Sequence, residues 1–132
     1  MNDQLQIIGK WRNDIPLLEI DYLPAQMFQP GTSETLSERL ISEYRMLLKK
    51  SRPESPPRAC VLFVKATTAG SPLVRAIFEV YKVIHADSGT LFCANYPINY
   101  MESLTSLGLT ALPGFKLTTT VDEALEMAQT GG

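Results

Sequence analysis

One continuous stretch, Cys60 to Lys82, limits the folds open to this chain more than any other. It begins with Cys60–Val64, an uninterrupted apolar run of residues that favour β structure. A strand without polar alternation is buried on both faces, as in a parallel sheet. Small residues follow from Thr67 to Gly70, and Ser71-Pro72 comes next. The stretch therefore predicts a buried strand, a tight loop and a helix.

Ser71 and Pro72 fit the start of that helix for two separate reasons. A serine at the N-cap accepts a hydrogen bond from a free backbone N–H. A proline at the first helical position gives up an N–H that had no partner there. Because open α/β sheets keep their sites at the carboxyl ends of strands, the loop from Thr67 to Ser71 is the candidate site.

The segment before the central strand predicts a hairpin and a helix. Leu5–Ile8 and Ile15–Leu23 have strand character, and Asn13-Asp14 between them is good turn chemistry. Thr32-Ser33 offers N-caps, and Thr35 with Glu38 fits a capping box. The apolar residues that follow recur at helical spacing and form one stripe: Leu36, Leu40, Ile41, Tyr44, Leu47 and Leu48. The proline-rich segment 51–58 is then expected to be an exposed, stiff loop.

The helix after Ser71 is expected to run to about Ala86 and to have two distinct faces. Five apolar residues share the inner face: Leu73, Ile77, Val80, Tyr81 and Ile84. Arg75, Glu79 and Lys82 share the outer face, with Arg75 and Glu79 at ion-pair spacing. Phe78 and His85 fall on the flank between the two faces. Two interpretations of Phe78 stay open, ordinary packing and contact with a partner.

The remaining chain continues the alternation of strands and helices. Asp87-Ser88-Gly89 predicts a helix end with Gly89 as the C-cap glycine. The strands Thr90–Ala94 and Phe115–Thr118 enclose a short helix, Asn99–Leu107, whose residues Met101, Leu104 and Leu107 are expected to point inward. Thr120 and Glu123 form a capping box for a last helix, Val121 to about Gln129. A strand–helix–strand crossover predicts parallel pairing.

Length and composition bound the class of protein. The 132 residues suffice for one domain, 1–132, without disulfide or metal staples. A net charge of −2 provides no basic field, so nucleic acid is not the expected partner. Neither a run of about 18 apolar residues nor a signal-peptide pattern occurs, which predicts a cytoplasmic protein without membrane insertion. The two cysteines, Cys60 and Cys93, fall in predicted buried strands and are expected to be reduced.

Together these patterns predict an α/β domain. Its mixed sheet has parallel inner strands and an N-terminal hairpin at one side, and about four helices pack mainly on one face. The chain has one histidine and no cluster of metal ligands in its sequence pattern, so no metal or other cofactor is expected.

From roughly Ser71 to Ala128 the chain resembles the STAS domain, the fold of anti-sigma factor antagonists and of the cytoplasmic tails of sulfate transporters. The segments that carry the resemblance are hydrophobic spacings: AIFEVYK at 76–82, TLFCAN at 90–95, MESLTSLGL at 101–109, LPGF at 112–115 and VDEAL at 121–125. The hairpin and the helix that precede the central strand fit the family as well.

The resemblance implies a role for Ser71. In that family a serine in the loop after the central strand, commonly preceded by aspartate, is phosphorylated by a partner kinase, which switches off binding to an anti-sigma factor. Ser71 matches that serine, but here Gly70 stands in place of the aspartate, Pro72 in place of a hydroxyl residue and Leu73 in place of the glycine. Two interpretations of Ser71 are therefore open, a phosphorylated switch and a simple helix cap.

Three functional hypotheses follow. The first is a non-enzymatic module that binds a protein through Ser71, the switch loop (Thr67, Thr68 and Gly70) and the helix residues Arg75, Phe78 and Lys82. The resemblance implies as its partner an anti-sigma factor or kinase-like ATPase, a stressosome-type scaffold or a transporter subunit, and leaves a homodimer open. The second is a small-ligand or nucleotide-binding subunit with phosphate near Gly70 and Ser71. ATP-dependent stabilisation would favour it over the first.

The third hypothesis, an enzyme, lacks its motifs. A cysteine phosphatase needs an arginine six positions after its cysteine, and Ala66 and Asn99 stand at those positions. Ser71 also lies outside any Gly-X-Ser-X-Gly nucleophile elbow, because Pro72 follows it.

Overall fold

The computed structural model describes residues 5–51 and 57–130, which form five strands and four α-helices. Most of the predicted loop 51–58 lies outside the described residues. The strands are β1 (Gln6–Arg12), β2 (Ile15–Asp21), β3 (Ala59–Val64), β4 (Thr90–Ala94) and β5 (Phe115–Thr118). The helices are α1 (Thr32–Ser51), α2 (Ser71–Ala86), α3 (Met101–Ser106) and α4 (Val121–Gln129).

All five strands belong to one sheet, whose spatial order follows the chain, β1-β2-β3-β4-β5. β1 pairs antiparallel with β2, and every later neighbour is parallel. The predicted parallel pairing of β3 with β4 is observed, and its register places Leu62 opposite Cys93. This confirms the predicted α/β fold with an N-terminal hairpin and parallel inner strands.

The hairpin turn is made by the two residues that the sequence pattern selects. Asn13 and Asp14 have φ values of 53° and 65°. Positive φ at both central residues is the mark of a type I′ turn, whose twist matches that of the flanking strands. Asparagine and aspartate tolerate this region better than most L residues, so the local sequence sets the register of β1 on β2.

The two faces of the sheet are covered unequally. The larger core lies between the sheet and the helices α1, α2 and α3, and its fully buried side chains include Leu18, Ile20, Leu62 and Ile77. The smaller core lies on the other face, where Ala124 and Leu125 of α4 pack with Leu17, Val61 and Phe92. Helices therefore pack mainly on one face, as predicted, and α4 alone closes the other.

Helix α1 begins earlier than the capping box predicts. The helix starts at Thr32, so Thr35 lies inside the first turn and is not an N-cap. The Thr32 hydroxyl donates to the carbonyl of Gln29 at 2.6 Å and ties the helix to the preceding connection. The predicted apolar stripe is correct, because Leu36, Leu40, Tyr44 and Leu47 are buried.

The end of α2 differs from the prediction by one residue. The left-handed residue is Ser88, with a φ of 64°, and not Gly89. Gly89 N–H donates to Ile84 O and Ser88 N–H to His85 O, both at 2.9 Å, which is the Schellman arrangement. Gly89 serves a different purpose, since a Cβ there would lie 2.9 Å from Cγ2 of Ile84.

Two further expectations concern the last helix and the cysteines. Thr120 caps α4 as predicted, but the reciprocal bond of the predicted capping box is missing from the described residues, because the Glu123 carboxylate accepts from Thr119 and not from Thr120. Glu123 N–H donates to Thr120 Oγ1 at 3.1 Å and caps α4, while the Glu123 carboxylate accepts from the N–H of Thr119 at 2.7 Å. Cys60 and Cys93 are free, buried thiols. Burial raises the pKa of both, that of Cys93 to about 12, which keeps the thiols protonated and inert near neutral pH.

Candidate functional site

The carboxyl ends of four parallel strands meet at one edge of the sheet, and the loop after β3 lies at that edge. Two long-range hydrogen bonds hold the loop there. Tyr22, after β2, donates its hydroxyl to the carbonyl of Thr68 at 2.5 Å, and Asn95, after β4, donates its side-chain amide to the carbonyl of Val64 at 2.8 Å. Burial raises the pKa of Tyr22, so its hydroxyl remains a donor.

Ser71 does not have the capping role that its position suggests. The carbonyl of Gly70 accepts the first helical bonds, from the N–H groups of Leu73 and Val74 at 3.1 Å each, so Gly70 is the N-cap. Ser71 is the first helical residue, its side chain is exposed, and no side chain caps this helix. The helix-cap interpretation of Ser71 is therefore wrong, and its hydroxyl faces solvent.

Ser71 begins an exposed stripe along α2. Arg75, Phe78 and Lys82 follow it at spacings of four, three and four residues. At about 100° per residue this spacing places all four side chains on one face of the helix. All four are exposed, and 38% of Phe78 is accessible although it is a large apolar side chain. We call these four residues the α2 stripe.

Charge and aromatic contacts order the far end of the α2 stripe. The predicted Arg75–Glu79 ion pair is not the one that forms. Glu79 pairs with Lys82 at 3.0 Å, and the Lys82 ammonium lies 5.0 Å from the centroid of the Phe78 ring. The Phe78 ring in turn stacks on Tyr81 at 6.1 Å between centroids. Arg75 therefore presents a guanidinium beside an ordered apolar ring.

A cleft of about 580 Å³ lies beside the α2 stripe, where α1, α2 and the end of α3 meet. Arg75, Phe78 and Val74 line it from α2, and Leu107 and Leu109 from the segment after α3. Three carboxylates form its rim, those of Glu34, Glu38 and Glu79. The structure thus brings two of the predicted partner-contact residues together at an apolar cleft with an acidic rim.

Leu107 is the residue of this cleft that the sequence pattern misplaces. It was expected to point inward with Met101 and Leu104, but 55% of it is exposed, while Leu104 is buried. The expectation assumed one continuous helix from Asn99. The chain instead forms a short 3₁₀ turn at Ile98–Tyr100 and then α3, which ends at Ser106. Because α3 ends at Ser106 and Leu107 is its C-cap, Leu107 leaves the helical path on which Leu104 is buried.

The threonines of the switch loop lie apart from the α2 stripe. Thr67 is exposed and lines a second cleft, of about 370 Å³, together with Lys65, Asn95 and Thr119 at the ends of the strands. Thr68 is half-buried, and its hydroxyl oxygen is buried without a hydrogen-bond partner in the described structure. The predicted loop residues therefore divide, with Gly70 and Ser71 at the helix start and Thr67 in the strand-end cleft.

Within residues 5–51 and 57–130, no three His, Cys, Asp or Glu side chains are placed to hold a metal ion. No helix in the same residues is both long enough and apolar enough to cross a membrane. The ring of His85 stacks on that of Tyr81, with 5.2 Å between the ring centroids.

No protein-family model matches this chain, and a search of curated proteins found no significant match.

Proposed function

We propose that this protein is a non-enzymatic, cytoplasmic interaction module that binds a partner protein through the α2 stripe, and that phosphorylation of Ser71 regulates this binding. The partner class that the STAS resemblance implies, an anti-sigma factor or kinase-like ATPase, belongs to the proposal, as does a scaffold or transporter subunit. The module needs no cofactor for this role.

One observation carries the proposal: an exposed hydroxyl begins the same helix face that presents an exposed arginine and phenylalanine. Ser71 has no capping duty, so a kinase could modify it without removing a hydrogen bond from the fold. Arginine and aromatic side chains are the residues that interfaces favour at their energetic centre. Phe78 beside the apolar cleft fits such a centre.

The position of Ser71 explains how a phosphate would act. A phosphoserine adds about −1.5 to −2 charges, which the amino end of α2 tolerates because the helix dipole is positive there. Arg75 lies four residues on, within reach of a side chain at Ser71 on the same face. The phosphate would therefore engage the guanidinium of Arg75 and place negative charge on the partner-binding surface without unfolding the domain.

Affinity capture from lysate of the source cells tests this proposal. The baits are the wild type, Ser71→Asp and Asn13→Asp, with mass spectrometry of the retained proteins. Asn13 is the matched charge control, because it is exposed at the hairpin turn at the opposite edge of the sheet and aspartate is accepted in such turns.

The expected result is a partner that the wild type and Asn13→Asp retain and Ser71→Asp loses. The unfolding free energy of Ser71→Asp should stay within about 0.5 kcal/mol of the wild type, since the site is exposed. A partner held equally by all three baits would refute regulation at Ser71 and leave a constitutive adaptor. Phosphoserine at Ser71 in protein isolated from the cells would support the switch directly.

The strand-end cleft favours a second candidate function, binding of a small anionic ligand. Its lining contains Lys65 and the polar side chains of Thr67, Asn95 and Thr119, and it contains no carboxylate. Hydroxyl and amide donors around one ammonium group suit a phosphate or carboxylate. Thermal unfolding with ATP, AMP or inorganic phosphate tests this candidate, and a rise in Tm that Lys65→Met abolishes would support it. An unchanged Tm at millimolar ligand would contradict it.

A further inference from the structure

A second surface, on the outer face of α1, has a charge arrangement that binding through the α2 stripe does not explain. Two of its carboxylates, those of Glu34 and Glu38, also line the cleft beside the α2 stripe. Glu34, Glu38, Arg45 and Lys49 are all exposed and recur at spacings of four, seven and four residues. At about 100° per residue, these side chains fall within a narrow arc opposite the buried stripe of Leu36 and Leu40. The outer face of α1 is therefore acidic in its first half and basic in its second half.

The charges are placed symmetrically about the middle of the helix. Glu38 lies three residues before Ile41, and Arg45 lies three residues after Ser42. Glu34 and Lys49 lie seven residues before Ile41 and seven after Ser42. A two-fold axis between Ile41 and Ser42, perpendicular to α1, would therefore place each carboxylate opposite a cation of a second, antiparallel copy of the same helix.

The helix dipole does not account for this pattern. The dipole favours acids in the first turn and bases in the last, and its effect is confined to those turns. Glu38 and Arg45 lie well inside a helix that runs from Thr32 to Ser51. Two further charges of α1, Arg39 and Glu43, occur in the opposite order, base before acid. The segregation of charge thus belongs to the outer face and not to the whole helix.

The charges of this face form no ion pair within the described residues, although Glu34 and Glu38 share a cleft with Arg75, and Arg45 and Lys49 share a groove with Glu79. The ion pairs within residues 5–51 and 57–130 join Lys10 to Glu19 and Glu79 to Lys82, and neither involves α1. Ile41 lies near the centre of the face and is half-buried, while Met46, of which 48% is exposed, lies about 90° around the helix from the charged arc. A shallow groove beside α1 continues this surface along Ser37, Ile41 and Met46.

We propose that a second copy of this chain binds here, with the two α1 helices packed antiparallel about a two-fold axis between Ile41 and Ser42. Glu34 of each copy then opposes Lys49 of the other, and Glu38 opposes Arg45, which gives four ion pairs with Ile41 of each copy beside the axis. Self-complementary pairing of this kind is what an isologous interface requires. The α2 stripe lies beside this face, so a partner bound to the stripe would affect dimer formation. The dimer is therefore tested in the purified protein without any partner.

Analytical ultracentrifugation of the purified full chain tests the proposal. Variant A carries Glu34→Lys and Glu38→Lys, and variant B carries Arg45→Glu and Lys49→Glu. The wild type should show a concentration-dependent dimer between roughly 5 and 500 μM, weakened by 0.5 M salt, as small charged interfaces are weak and screened. Each variant alone should bind itself about 100-fold or more weakly, because like charges then face each other.

A mixture of the two variants decides whether the charges act across the predicted axis. At positions 34, 38, 45 and 49 variant A carries four cations and variant B carries four glutamates. In the mixture each of these cations opposes a glutamate of the other copy, so an A–B heterodimer should recover at least the wild-type affinity. Circular dichroism of each variant establishes that α1 is intact. A wild type that stays monomeric throughout the range, or a mixture that fails to associate although both variants are folded, would overturn the proposal. Neither result bears on capture by the α2 stripe.

Discussion

The residue that ends α2 in the left-handed conformation is a serine, and replacing it with glycine should stabilise the domain. Ser88 has a φ of 64° and an exposed side chain, so its substitution removes no packing. An L residue in this region costs about 1–2 kcal/mol relative to ordinary backbone. Glycine avoids that cost but loses more entropy on folding, about 0.5–1 kcal/mol. We expect Ser88→Gly to raise the unfolding free energy by about 0.5–1 kcal/mol.

The neighbouring glycine should respond in the opposite way. A Cβ at Gly89 would lie 2.9 Å from Ile84 Cγ2, 3.1 Å from Ile84 O and 3.3 Å from Pro57 O. Two of these atoms belong to the backbone and cannot move aside cheaply. Overpacking of this kind costs about 1–3 kcal/mol, so Gly89→Ala should lower the unfolding free energy by that amount.

Urea unfolding followed by circular dichroism and by the fluorescence of Trp11 measures both effects. The matched control is Ser42→Gly, the same substitution at an exposed position inside α1, where glycine should cost about 0.5 kcal/mol relative to serine. The Tm of Ser88→Gly should rise by about 2–5 °C for a domain of this size. A stability loss in Ser88→Gly would contradict the backbone strain at residue 88, and an unchanged stability of Gly89→Ala would contradict the close contacts at residue 89.

Two further predictions concern pH and capping. Burial raises the pKa of Cys93 from 9.0 to about 12 and that of Tyr44 from 10.0 to about 12. As pH rises, the unfolded chain therefore loses these protons before the folded chain does. The unfolding free energy should be unaffected by these groups below pH 9 and should fall above it, by up to about 1.4 kcal/mol per pH unit for Cys93. Urea titrations from pH 7 to 11 should show a shallower fall in Cys93→Ala. Thr120→Ala removes the side chain that accepts from Glu123 N–H and should cost about 1 kcal/mol in the same assay, and an equal loss in Thr119→Ala would contradict this role.

Local pattern predicted the architecture because each element carries its own signal. Continuous apolar runs marked β3 and β4 as buried on both faces, and the Asn13-Asp14 turn set the hairpin. The single apolar stripes of α1 and α2 predicted which side of each helix faces the sheet. Such signals depend on residues a few positions apart, so they survive without any knowledge of the tertiary contacts.

The candidate site was predicted less completely, because its properties depend on contacts between distant segments. Ser71 was predicted to end the loop and cap α2, but it is the first residue of the helix, because Gly70 is the N-cap. Neither segment alone predicts that Leu107 and Phe78 line one cleft, and Leu107 differs from its expected orientation because α3 ends at Ser106. Glu79 pairs with Lys82 and not with Arg75, although both spacings are favourable for an ion pair on a helix.

Hydrophobic period and crossover connections are local or nearly local rules, so they predict most of the secondary structure, the parallel inner strands and the exposed face of α2. Contacts between distant segments settle which side chains share a cleft and which hydroxyl is left without a hydrogen bond within the described residues. The reason is that helix starts and phases shift by one residue at little energetic cost, while a shift of one residue turns a side chain by about 100°. Burial of apolar side chains strongly fixes which face of each helix packs on the sheet. The functional surface consists of the side chains that stay exposed.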